Sequence, residues 1–173
     1  LRRTLSTDEV INWYDSNLNK DYISFARYTG LTPTSGDRNI KKSKNKKTLD
    51  ELDKEWKSLK ALMEEDDTIP SDYLLDIPNR DRPEIELCDR WSIQDTPPDI
   101  FITNYSMLNI ILMRNDESGI FEQTKHWLQE SEDHIFHLVI DELHSYRGTS
   151  GTEVAYLIRL LLERIGLNPE SKQ

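Results

Sequence analysis

The chain of 173 residues contains no Gly-x-x-x-x-Gly-Lys-Ser/Thr sequence, so the glycine-rich loop whose amides wrap a triphosphate is missing. It has a single cysteine, Cys88, which excludes an internal disulfide and removes any need for an oxidising compartment. Cys88 is therefore expected to be a small, partly buried thiol in a cytoplasmic protein. No apolar run approaches the roughly 20 residues of a membrane span, and no signal-peptide pattern opens the chain, so no membrane partner is expected. Leu1 stands where an initiator Met would be, as in a segment cut from a longer protein. Positive charge is also short. Lys and Arg number 22 against 32 Asp and Glu, a formal net charge of −10. Phosphate binding wants a basic footprint, so the chain alone is not expected to hold nucleic acid tightly. Charged residues at 31% and a mean hydropathy of −0.71 describe a water-facing chain with room for one core and a subsidiary lobe.

Strands and helices alternate in the pattern, which predicts an α/β fold with a largely parallel sheet. Ser6 and Glu9 have capping-box spacing, and Val10, Trp13, Tyr14 and Leu18 set an apolar stripe on a helix ending near Leu18. Residues 22–28 alternate as a strand, and Thr29-Gly30 turns away from its end. Lys41, Lys42, Lys44, Lys46 and Lys47 then form a basic run almost without apolar residues. It reads as a solvated loop, or as a contact for nucleic acid. Thr48 and Glu51 repeat the capping-box spacing, and Leu49, Leu52, Trp56, Leu59 and Met63 recur at helical steps. Five prolines between Pro70 and Pro98 mark residues 68–96 as largely irregular. A structureless stretch of that length is unusual inside a compact domain, so residues 34–96 are expected to be an insertion between two sheet strands. Regular structure resumes with a strand at 100–103 and a helix over 105–114 that Asn104 can cap. A helix over 120–129 follows, anchored by Phe121, Trp127 and Leu128. A strand at 134–140 comes next. The last helix opens at Thr152, with Gly166 as its C-cap and Pro169 as a stop.

The densest chemistry follows the predicted strand at 134–140, in Leu138-Val-Ile-Asp-Glu-Leu-His-Ser-Tyr-Arg147. Ligands of open α/β sheets bind at the carboxyl ends of strands, and there Asp141, Glu142 and His144 would stand. Acids beside an apolar strand are costly unless a cation or hydrogen bonds offset them. On the residues alone, two readings stand: a catalytic cluster, or an acidic loop after a strand. His134, His137 and His144 lack the spacing of a zinc set, and His126 is expected to be exposed.

This Asp-Glu-x-His sequence resembles the D-E-x-H box of superfamily 2 helicases, and its neighbours resemble that family in order. Asp99-Ile-Phe-Ile-Thr-Asn-Tyr-Ser-Met-Leu108 is similar to the strand and T-N-x-x-M-L segment before the box. Tyr28-Thr-Gly30 is similar to the earlier T-G element. Arg147-Gly148 and the helix after it are similar to the corresponding stretch of the Lhr-like and YprA-like branch. Residues 1–5 resemble the end of the helix after motif Ia. The resemblance runs from Leu1 to about Leu167, apart from a divergent middle at 34–96. It implies the back part of a first RecA-like domain, a doubly wound, mainly parallel sheet formed by residues 1–33 and 97–173.

What the resemblance implies about function is specific. The cofactors would be ATP and Mg²⁺. Asp141 would hold Mg²⁺ through water, Glu142 would be the general base toward the attacking water, and His144 would couple the nucleotide site to the rest of the motor. Thr29, Gly30, Thr103 and Asn104 would contact phosphates of a single-stranded or duplex DNA, or of RNA. Hydroxyls, amides and helix N-termini suit that task and carry no sequence information; equally, Thr29-Gly30 suits a plain turn and Asn104 a plain cap. The phosphate loop and the second RecA-like domain would come from elsewhere in the same protein, so the segment alone should not hydrolyse ATP. The alternatives are a non-catalytic scaffold in which residues 34–96 recruit a partner and, more remotely, a metal-dependent hydrolase.

Overall fold

The computed structural model describes residues 1–19, 21–36, 38–66, 68, 77–114, 118–168 and 170–172. Pro70 and Pro169, singled out above, lie outside them. The chain divides into two compact units, Leu1–Ile93 with Pro98–Ile102, and Gln94–Pro97 with Thr103–Gln173. The first is mixed α/β and the second helical, and the chain as a whole is α/β.

The first unit runs α1 (Arg2–Leu5), α2 (Asp8–Asn17), β1 (Phe25–Tyr28), α3 (Arg38–Glu65), β2 (Glu86–Leu87), α4 (Arg90–Asp95) and β3 (Ile100–Thr103), the ends of α4 and β3 passing into the second. The sheet order is β2-β1-β3, with β1 and β2 parallel and Phe25 opposite Glu86, Ala26 opposite Leu87. Phe25 N–H donates to Ile85 O at 2.8 Å, and Ile100 N–H donates to Ser24 O at 3.0 Å. Ile11, Phe25 and Ile85 form one buried apolar cluster, with Leu5, Tyr22 and Ile100 packed against it. Burying a side chain of this size contributes about 1.5–3 kcal/mol.

A buried acid pins this core from one side. Glu86 on β2 receives both Nε and Nη2 of Arg2, at 2.7 and 2.5 Å, and the N–H of Asn79 at 3.0 Å. This two-pronged geometry is the favourable one for a carboxylate removed from water. Next to it, burial pushes the Cys88 thiol up to about 12, with Glu86 adding in the same direction. Cys88 is thus a neutral donor, its Sγ set 3.4 Å from Glu86 O.

Several expectations are corrected here. Ser6 does not cap α2: its N–H closes α1 on Arg2 O at 3.1 Å, and Thr7 occupies the cap position. The buried face of α2 is Ile11 and Tyr14, while Trp13 and Leu18 are exposed. The basic run is not a loop, because α3 starts at Arg38 and includes it. Lysine is a good helix former, and no breaker separates the run from the apolar seam that buries Trp56. Thr48, mid-helix, donates to Lys44 O at 3.2 Å and caps nothing. Residues 85–95 are not irregular either: they supply β2, α4 and the fully buried Ile85 and Ile93.

The second unit is α5 (Tyr105–Met113), α6 (Ser118–Glu130) and α7 (Thr149–Arg164). Asn104 caps α5 as expected, Oδ1 accepting from Met107 N–H at 2.9 Å. Helix α7 lies against α5 and α6, and Met107, Ile111, Phe121, Leu128, Leu157 and Leu161 are buried between them. Helix α7 opens at Thr149, three residues earlier than expected, behind Gly148. At its other end Gly166, at φ +80°, donates to Glu163 O, and Leu167 N–H donates to Leu162 O at 2.8 Å. That is the Schellman stop the sequence announced.

The strand expected at 134–140 does not form. The segment belongs to no sheet, and Ile135 and Val139 are 49% and 88% exposed. A strand needs another strand's N–H and C=O groups beside it. Among its described residues the second unit offers helices.

Two outcomes test this architecture. Arg2→Ala strands a buried carboxylate, discounted here because the Arg2 side chain is itself a fifth exposed; urea denaturation should show a loss of roughly 2–4 kcal/mol. Replacing residues 34–96 by a short linker removes β2 and Ile85, so far-ultraviolet circular dichroism should show the first unit unfolded. A native-like spectrum from that deletion would mark β2 as dispensable.

Candidate functional site

Thr29 and Gly30 leave the carboxyl end of β1 and enter a tightly bonded turn. Thr29 N–H donates to Thr32 Oγ1 at 2.8 Å, Thr32 Oγ1 donates to Arg27 O at 2.7 Å, and Leu31 N–H reaches Thr29 Oγ1 at 3.3 Å. The Thr29 hydroxyl and amide are thus engaged inside the turn. A Cβ at Gly30 would meet nothing within 4 Å, so that position is open to a large neighbour.

Sequence reasoning passed over the group that holds this turn. Arg90 is buried with its guanidinium carbon 5.1 Å from the centre of the Tyr28 ring. Its Nη2 donates to Thr29 O at 2.9 Å and its N–H to Pro33 O at 3.1 Å. Asp89 orders the start of α4 by accepting from the N–H groups of Trp91 and Ser92 at 3.0 and 3.2 Å. Trp91 Nε1 donates to Gly36 O at 3.2 Å. Three consecutive side chains therefore tie α4 to the loop after β1. The signal was present as an Asp followed three residues later by Ser, a cap at the start of a short helix.

In the second unit, Asp141 and Glu142 form a turn and Leu143–Ser145 a single 3₁₀ turn. Glu142 sits in the left-handed region at φ +51°, which costs a non-glycine residue roughly 1–2 kcal/mol. His144 Nε2 lies 3.1 Å from its Oε2, both side chains being about 70% exposed. Asp141 is exposed and makes no hydrogen bond or ion pair. The structure thus brings Glu142 and His144 together and leaves the Asp141 carboxylate available, but on an open surface. The expectation of acids buried beside a strand is corrected with the strand itself. Arg147 braces the turn, Nε donating to His144 O at 3.1 Å. Gly151 fits because any Cβ there would lie 2.9 Å from Tyr146 O.

Thr103 ends β3, and Asn104 spends its side-chain oxygen on the α5 cap. Behind them Tyr105, Asn109, Thr149, Thr152, Glu153 and Tyr156 line an open cavity of about 300 Å³ between α5 and α7. Of the other histidines, His126 is exposed and pairs with Glu130 at 3.1 Å. His134 stacks on Trp127 with centroids 4.3 Å apart. Among the described residues no three His, Cys, Asp or Glu side chains gather as a metal set.

Comparison with known proteins adds one relative. No known protein-family profile matches the chain, and no solved structure matches it. The chain is similar to the Druantia protein DruE of Escherichia coli strain UMEA 4076-1, 51% identical over 85 residues. That stretch is 49% of this chain and 5% of the relative.

Proposed function

We propose that the chain is a segment of an ATP-dependent nucleic-acid helicase or translocase of superfamily 2. It is the part of the first RecA-like domain that carries the D-E-L-H box and the strand-contacting motifs. The observation that carries this reading is the ordered series of T-G, T-N-x-x-M-L and D-E-L-H along one α/β chain. Its first two members leave the ends of strands β1 and β3. The likeness to a stretch making up 5% of a much larger protein supports a piece of a multi-part machine.

The residues suit the roles in different degrees. Asp141, exposed and without an ion pair among the described residues, would accept from the hydration shell of Mg²⁺, and that ion would supply charge neutralisation at a transferring phosphoryl group. Glu142 is an exposed carboxylate beside His144, with lone pairs that could accept a proton from water. The N-terminus of α5, which begins just after Thr103 and Asn104, would present amide donors to a phosphate backbone. The triphosphate itself finds no cradle among these residues, so its loop is contributed by another segment. The openness of the D-E-L-H turn instead favours a second reading, a non-catalytic scaffold of motor-like fold.

ATP hydrolysis by the complete protein decides between them. Glu142→Gln keeps shape and hydrogen bonding but cannot accept the proton. Turnover should fall by roughly 10²–10⁴-fold with ATP binding retained, whereas unchanged turnover in the folded variant would leave the scaffold reading. Thr103→Ala with Asn104→Ala should lower stimulation by single-stranded DNA or RNA while sparing basal turnover. The lost cap costs about 1 kcal/mol, which a thermal melt of the same variant should report.

A further inference from the structure

Residues 38–47 hold six cations and no acid, in a chain whose net charge is −10. All ten lie in the first third of α3, a helix of 28 residues, over a span of ~15 Å. The anchoring is at Asn45, which is buried and donates from Nδ2 to Ser35 O at 3.0 Å. Lys42, Lys44, Lys46 and Lys47 are all exposed around it. Helical spacing spreads these four over the solvent-facing arc and leaves Asn45 and Trp56 on the packed side.

At the end of this block Lys47 approaches Glu51 at 3.8 Å, and farther along the helix Lys60 holds Asp81 at 2.8 Å and Asp53 receives Arg80 at 2.5 Å. Lys42, Lys44 and Lys46 make no ion pair among the described residues. These three exposed lysines of an ordered helix thus keep their charge uncompensated.

We infer that the first three turns of α3 are a docking surface for the phosphate backbone of a nucleic acid. They would act in addition to Thr29, Gly30, Thr103 and Asn104. The polymer class rests on the proposed function; the surface rests on the charge and its placement. Lysines are hydrated point charges on flexible stems, suited to phosphates and not to the planar recognition of a base edge. The run has no aromatic residue on which a base could stack. Contact here is sequence-independent and works through release of counterions.

The test is fluorescence anisotropy of the full chain with a fluorescein-labelled oligothymidylate across a salt series. A triple variant, Lys42→Gln with Lys44→Gln and Lys46→Gln, keeps helix propensity and removes three charges. Binding should weaken on the order of tenfold or more, and the dependence of log K on log salt should flatten by about 2, near 0.7 per lost phosphate contact on a single strand. The corresponding triple Lys→Arg variant should restore both. An unchanged salt slope in the helical Gln variant, or no oligonucleotide binding by the parent chain, overturns the surface. Tighter binding of poly-glutamate than of oligothymidylate overturns it too, in favour of an acidic protein partner. ATP turnover lost in Glu142→Gln with an unchanged Lys→Gln salt slope would sink the surface and leave the motor. The opposite pair of results would sink the motor and leave the surface.

Discussion

Phe25 to Tyr28 can be buried only because the chain returns twice to pair with them, once near Glu86 and once near Ile100. Strand β1 is the one with a neighbour on each side, and its backbone groups need both neighbours if they are to leave water. Closing loops of this length costs chain entropy that grows only slowly with length. The long excursion through α3 is therefore tolerable, provided its return is firmly held. Arg2 on Glu86 and Arg90 on Thr29 hold it. One joins the amino-terminal turn to the edge strand; the other joins the helix after that strand to the turn after β1.

The second unit solves a simpler problem. Its helices are joined by local connections and bury one apolar face each, so packing and end signals suffice. Asn104 starts α5, Gly148 precedes α7, and Gly166 stops it. The turn bearing Asp141, Glu142 and His144 lies between two such helices. Its shape is set by short-range contacts, among them Arg147 Nε donating to His144 O, and not by burial.

Legibility followed the range of the forces involved. Strand β3 and helix α5 could be read because a short β-branched run, a preceding pair of prolines and an Asn cap are all local. The Leu49 to Met63 seam was legible as a helix, yet its true start at Arg38 was not, because exposed lysines carry no periodic apolar mark. The edge strand β2 is two residues long and owes its existence to β1, some sixty residues away. No window on the sequence contains that pairing. The reverse holds at residues 134–140, where local preference for strand is strong and no partner meets it. At the candidate site, the identities of Asp141, Glu142 and His144 were legible, but their exposure and the left-handed backbone at Glu142 were not. The Arg90 clamp was missed because an arginine is rarely buried, and its partners Thr29 and Pro33 lie some sixty residues away in the chain.

Ile135-Phe-His-Leu-Val-Ile140 is a segment of high β propensity with no acid, no lysine or arginine and no proline, held open to solvent along an unpaired backbone. Such a hexad is the chemistry of the steric zipper, in which identical segments from many copies stack and close their hydrogen bonds on one another. The charged residues on either side, Glu132 and Asp133 before it and Asp141 and Glu142 after it, act as gatekeepers by stacking like charges at every rung of such a ladder. The same carboxylates that give this turn its chemical interest thus also flank its most apolar stretch.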